Sequence, residues 1–156
     1  MPPSTPVPLY AIALGSNRRG RHGSPVREVQ AALVAIGGVI AVSPLISTPP
    51  IGPSRRRFVN AAALVETAET PPQLLARLKR IERAFGRRRG RRWDARVIDL
   101  DIILWSGGPW AGPGLTIPHV AFRARDFVLR PLAAIAPTWR DPLTGRTIRQ
   151  LAALTG

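Results

Sequence analysis

The stretch VIDLDIILW, residues 97–105, constrains this chain most, because it sets two acids two positions apart inside an otherwise apolar run. Such a run reads as a strand, and strand side chains alternate between faces. Asp99 and Asp101 then share one face, about 7 Å apart along the backbone. Ile103 and Trp105 extend that face, while Ile98, Leu100 and Ile102 form the other. The placement costs a chain with few acids to spare: Asp plus Glu number 9 against 23 Lys plus Arg, a net charge of +14.

The rest of the chain supplies partners for that strand. LYAIALG reads as a buried strand ending at Gly15, followed by the loop GSNRRGRHG. A first helix starts at Ser24 as cap and Pro25, with Val26, Val29, Leu33 and Ile36 at helical spacing, and stops at Gly37 and Gly38. VIAVSPLIS and FVNAAALVE read as two strands separated by a Pro/Gly/Arg loop. A second helix is capped by Thr70, opens with Pro71, and runs along Leu74, Leu75, Leu78, Ile81 and Phe85 to Gly86. SGGPWAGPG reads as a turn before LTIPHVAF. DFVLRPLAAIA, interrupted by Pro131, and TIRQLAAL have helical composition. The order strand, helix, two strands, helix, strand, then helices predicts an α+β, ferredoxin-like fold, a largely antiparallel sheet packed with helices. One domain is expected over residues 1–156, with 1–8 as a flexible lead.

Composition excludes several classes. The absence of cysteine rules out a disulfide scaffold and thiolate metal sites. No apolar run reaches the roughly 20 residues a bilayer crossing needs, and the N-terminal stretch lacks a signal-peptide pattern. The expectation is a soluble, cytoplasmic, monomeric protein with no membrane partner. Arginine makes up 22 of the 23 cations, Lys79 being the other. Guanidinium forks match phosphate oxygens, so an anionic ligand is expected.

Two carboxylates facing one way repel unless a hard cation sits between them, and Mg²⁺ commonly takes one or two carboxylates plus substrate phosphates. Arg87, Arg88, Arg89, Arg91, Arg92 and Arg96 crowd the segment just before, as a group that closes on polyphosphate would. Spacing alone leaves open a plainer reading, in which the acids are the solvent side of a half-exposed strand and the arginines a solvated run. There is no P-loop and no dinucleotide-binding glycine turn. Nor does His119 have a second ligand at zinc spacing. Any ATP is therefore to be held by metal and arginine.

Taken together, ALGSN, STPPIGP, FVNAA, RIER, RRWDARVIDLDI, LTIPH and RDFVLRPLAAIAP, in this order from Tyr10 to Ala136, resemble the 6-hydroxymethyl-7,8-dihydropterin pyrophosphokinase family of the folate pathway. The resemblance implies transfer of a pyrophosphoryl group from ATP to the pterin hydroxymethyl oxygen. It implies that Asp99 and Asp101 hold two Mg²⁺ ions on the triphosphate, with Arg96 and Arg87 as catalytic phosphate contacts. Glu82, Arg92, Thr116, His119 and Arg125 would meet the nucleotide. Thr48, Pro49, Pro50, Ile51, Phe58, Asn60, Trp93 and Phe127 would bind the pterin, the two phenylalanines by sandwiching its ring. Asp94, Ala95, Gly114 and Val120 depart from the family pattern at nucleotide-side positions. The competing class is a basic ferredoxin-like RNA-binding module, suggested by the charge. Against it, a phosphate backbone would be repelled by the acid pair, and no strand carries closely spaced aromatics. A catalytically decayed homologue is a third reading, which the intact acid pair opposes.

Overall fold

A computed structural model describes residues 6–48, 57–86 and 97–155. Five strands build the main sheet: β1 (Leu9–Ser16), β2 (Val39–Val42), β3 (Ile46–Thr48), β4 (Phe58–Glu66) and β5 (Asp99–Trp105). Their order is β2-β4-β1-β5, with β3 pairing on β4 beside β2, and every pairing is antiparallel. Helices α1 (Pro25–Ile36) and α2 (Pro71–Ala84) connect strands on one face. Helices α3 (Asp126–Ile135) and α4 (Ile148–Thr155) lie on the other, and β6 (Trp110–Gly112) with β7 (Leu115–Ile117) forms a separate hairpin.

Local chemistry explains the helix ends. Ser24 caps α1 by accepting from the Arg27 N–H. Thr70 and Gln73 form a reciprocal capping box on α2. Val26 does not belong to the buried stripe of α1, being 40% exposed; the stripe is Val29, Ala32 and Ile36, joined by the fully buried Glu28. Helix α3 runs through Pro131, which is buried in it, so the proline does not end the helix.

Two cores result. Tyr10, Ile12, Leu14, Ala61, Ala63, Val65, Leu100 and Ile102 meet α1 and α2 through Val29, Ile36, Leu74 and Leu78. Ala11, Ala62, Leu64, Ile103 and Leu104 meet α3 and α4 through Leu129, Leu132, Ile148 and Leu151.

The structure corrects three readings of the strands. VIAVSPLIS is two strands, because Ser43, Pro44 and Leu45 oppose only Ala61 and Ala62 on β4. Proline offers no N–H to the ladder, and Ser43 bridges the break with its Oγ accepting from the Ala62 N–H at 2.9 Å. Trp105 does not share the face of the aspartates. In β5 Ile102 pairs with Ile12 and Leu104 with Ala11, leaving Ile103 as an extra residue. That bulge sends Ile103 and Leu104 to the α3 side and Trp105 to the other side, stacked on Tyr10 at 6.0 Å. Finally, the segment read as a turn contains β6.

Candidate functional site

The site follows from strand register. Gly15 on β1 pairs with Asn60 on one side and Asp99 on the other; Ala13 pairs with Ala62 and Asp101. Two rows thus cross the sheet, each with a small residue on the central strand and an aspartate at the edge. At about 4.8 Å per strand, Asn60 and Asp99 stand roughly 10 Å apart across Gly15. A Cβ on Gly15 would lie 3.1 Å from Asn60 Oδ1 and 3.7 Å from Phe58 Cδ1, so glycine lets these side chains close over the floor.

Above this floor is a cleft of about 360 Å³, lined by Gly15, Thr48, Phe58, Asn60, Asp99, Asp101, Arg125, Phe127 and Val128 among others. Its size suits a small planar molecule. Asn60 is 7% exposed and donates from Nδ2 to Thr48 Oγ1 at 2.7 Å, which fixes its amide. Its Oδ1 stays at the floor. Arg125 precedes α3, and its guanidinium lies 5.7 Å from the Phe127 ring centroid. The cleft therefore holds aromatic faces, an oriented amide, a cation and two carboxylates.

A second cleft, also of about 360 Å³, lies against the outer edge of β5 and is lined by Leu75, Lys79, Leu100, Asp101, Ile102, Thr116, His119 and Val120 among others. Asp101 lines both clefts. His119 is fixed at its backbone by donation to the Ile103 carbonyl at 3.1 Å. Its Nδ1 accepts from the Ala121 N–H, leaving Nε2 as the donor of the neutral ring. Burial pushes its pKa below the usual histidine value; the Asp101 charge opposes that shift and Arg125 adds to it.

Glu82, read as a nucleotide contact, is 2% exposed, and its Oε2 accepts from the Leu100 N–H at 2.9 Å. Its Oε1 lies 3.4 Å from Lys79 Nζ. The carboxylate thus holds the backbone between the two aspartates. Of the other sequence-derived candidates, Thr48, Phe58, Asn60, Asp99, Asp101, Arg125 and Phe127 meet in the first cleft, and Asp101, Thr116 and His119 in the second. Pro49, Pro50, Ile51, Arg87, Arg92, Trp93 and Arg96 lie outside the described residues. Sequence reasoning missed Gly15 and Ala13, whose smallness in an apolar strand was the available signal, and Lys79, whose signal was being the only lysine.

A carboxylate pair with no third acidic or histidine ligand among the described residues fits a hard ion that shares its shell with substrate oxygens. The fold and site together define a class: an α+β, ferredoxin-like protein with two neighbouring clefts that share an acid-bearing edge strand. Comparison with known proteins narrows it. The model of the 7,8-dihydro-6-hydroxymethylpterin-pyrophosphokinase family matches residues 11–137, and the chain belongs to that family. It is 42% identical over 148 residues to the 2-amino-4-hydroxy-6-hydroxymethyldihydropteridine pyrophosphokinase of Pseudomonas aeruginosa, covering 91% of this chain and 88% of that one. Its counterpart in Synechocystis is 40% identical over 137 residues, covering 85% and 70%. Among solved structures, an HPPK-DHPS in complex with substrates superposes with a TM-score of 0.77 at 15% identity, over 96% of this chain and 45% of the other. The wild-type Plasmodium falciparum HPPK-DHPS with pteroate gives 0.75 at 15%, over 97% and 45%. The chain spans less than half of those structures, and the likeness supports the ferredoxin-like fold.

Proposed function

We propose that this enzyme transfers the pyrophosphoryl group of ATP to the hydroxymethyl oxygen of 6-hydroxymethyl-7,8-dihydropterin, releasing AMP, as a step of folate biosynthesis in the cytoplasm. The observation that carries the reading is Asp101, which lines both an aromatic, amide-bearing cleft and an edge cleft with His119 and Thr116.

In this reading the pterin ring enters the first cleft. Phe58 and Phe127 offer it π faces, and Asn60, held by Thr48, offers its Oδ1 to the ring's N–H groups. Pro49, Pro50, Ile51 and Trp93 complete the pterin set proposed from sequence. ATP occupies the edge cleft with its base side toward Leu75, Leu100 and Ile102 and its phosphates toward Asp101. His119 donates from Nε2, Thr116 from its hydroxyl, and Arg125 adds positive charge between the clefts. Arg87, Arg92 and Arg96 are proposed as further phosphate contacts.

Asp99 and Asp101 would hold two Mg²⁺ ions, which when bound neutralise the triphosphate and polarise the phosphoryl oxygens. The chain's own contribution is position. The pterin hydroxyl is directed from the first cleft at the β-phosphorus, a new O–P bond forms as the α,β-bridging P–O bond breaks, and AMP departs on the edge side. Asp99, nearer the pterin, orients the hydroxyl and stands within reach of its proton.

The test is AMP release from ATP and Mg²⁺ with and without 6-hydroxymethyl-7,8-dihydropterin, with Asp101→Asn as control. Pterin-dependent AMP that is lost in the variant supports the reading. Well-folded protein forming no pterin-dependent AMP overturns it.

A further inference from the structure

The loop between β1 and α1 is not used by the reaction proposed above, yet it is tied down by several hydrogen bonds. Gly20 and Gly23 exchange both backbone hydrogen bonds, at 3.0 and 3.2 Å, so Arg21 and His22 form the tip of a two-residue turn. Under that tip lies Glu28, whose side chain is wholly buried. Its carboxylate accepts from the His22 backbone N–H at 3.1 Å and from His22 Nδ1 at 3.0 Å. A buried carboxylate kept on one side chain and one backbone N–H of a surface loop costs desolvation energy, and surface turns do not need such an anchor.

What the anchor holds is visible from its other contacts. The His22 ring packs on Phe85 with centroids 4.6 Å apart and planes at 31°, and Phe85 is the residue that closes α2. Gly20 sits so close to Glu28 and Val97 that a Cβ there would press on the carboxylate and lie 2.6 Å from Val97 Cγ1. Val97 leads directly into β5, two residues before Asp99. The turn is thus wedged between the end of α2 and the start of the strand that carries both acids. Asp99 is the first residue of β5, with Gly15 as its only ladder partner on the β1 side. A strand terminus is where a ladder frays, and this one has a side support.

We infer that His22 and Glu28 are positioning residues for the metal-binding acid pair: through Phe85 and Val97 they hold the start of β5, and with it the Asp99 carboxylate. They touch no reacting atom. Gly20 belongs to the same device, because a Cβ there would press on both the Glu28 carboxylate and Val97 Cγ1. The inference rests on the proposed reading of Asp99 and Asp101 as Mg²⁺ ligands, so its test separates the two.

The experiment measures His22→Ala and Glu28→Gln against the unsubstituted enzyme, each well below its own melting temperature. Calorimetric affinity for a non-hydrolysable α,β-methylene ATP analogue is read with and without Mg²⁺, beside the Mg²⁺ midpoint for AMP formation. The expected result is a loss of roughly tenfold or more in the Mg²⁺-dependent gain in analogue affinity, with metal-free affinity unchanged. The activation midpoint should move to higher Mg²⁺, with kcat down by about tenfold to a hundredfold, as misplacement of a reacting group by about 1 Å would cause. A merely structural role would lower the melting temperature and leave the Mg²⁺-dependent gain intact, and that result in a folded variant overturns the inference. If His22→Ala does not fold, Glu28→Gln, which keeps the shape of the side chain, decides by the same readings. An unsubstituted enzyme whose analogue affinity ignores Mg²⁺ would instead sink the metal reading itself.

Discussion

The two faces of the main sheet receive the same five strands and do opposite things with them. One face is closed: Tyr10, Ile12, Leu14, Ala63, Val65, Leu100 and Ile102 pack fully under α1 and α2. The other is closed only in part, because α3 and α4 cover Ala11, Leu64, Ile103 and Leu104 but leave the end holding Gly15, Asn60, Asp99 and Asp101 to a cleft. On the first face large aliphatic side chains carry the burial. On the second the central strand offers alanine and glycine, whose small size makes room for a ligand. One face is wholly core and the other carries the proposed chemistry beside its core, so substitutions should separate along that line.

The largest effect is expected on the open face. Asp99→Ala or Asp101→Ala should lower pterin-dependent AMP formation by roughly two to three orders of magnitude or more, with circular dichroism and melting little changed. Turnover near that of the unsubstituted protein would break the comparison. The mirror experiment is Leu78→Ala on the closed face, where the side chain is fully buried. It should cost about 3 kcal/mol in denaturant unfolding while leaving kcat of the folded fraction in place.

Asp141 ties the turn before α3 to the turn before α4. It is buried, and it accepts from Arg123 through both oxygens, from the Leu143 N–H at 3.0 Å and from the Thr144 hydroxyl at 2.8 Å. The Arg123 guanidinium holds its pKa down to about 2, from 3.8. Because the folded value lies below the unfolded one, the pair's stabilisation is complete above about pH 4 and is lost as pH falls toward 2. Asp141→Asn should lose about 2 kcal/mol at pH 7 and show a flatter stability curve between pH 4 and 2, followed by urea melts. Next in size, Phe127→Ala should raise the pterin dissociation constant about tenfold, a stacking contribution of roughly 1–3 kcal/mol, with only a minor shift in melting. Smallest of all, Val34→Ala on the outer side of α1, where Val34 is 83% exposed, should change stability by no more than about 0.5 kcal/mol and leave activity alone.

Much of this division was legible in the sequence. Both capped helices, the strands β1, β4 and β5, and the shared face of Asp99 and Asp101 follow from local period and cap chemistry. What was hidden depends on pairing between distant segments. Nothing near Gly15 says that Asn60 and Asp99 will flank it, since that is a matter of register across three strands. The bulge at Ile103 was equally invisible, because strict alternation through IDLDIILW is the default reading and only the match to β1 breaks it. The family pattern points to Glu82 as a nucleotide contact, but nothing in the sequence shows its bond to the Leu100 N–H, which links a helix and a strand that sequence spacing does not connect.

That last bond also bears on how copies of this chain meet one another. Among the described residues β5 is an outer strand of the sheet, and outer strands invite an unrelated strand to zip on. Here the Leu100 N–H is already occupied by a buried carboxylate, and the Ile103 carbonyl by the backbone of His119. An incoming strand would meet two filled positions and an irregular bulge where it needs a continuous row of free partners. The same atoms that keep the acids in line therefore guard a crowded, arginine-rich chain against edge-to-edge association at the very strand where its catalysis is proposed to occur.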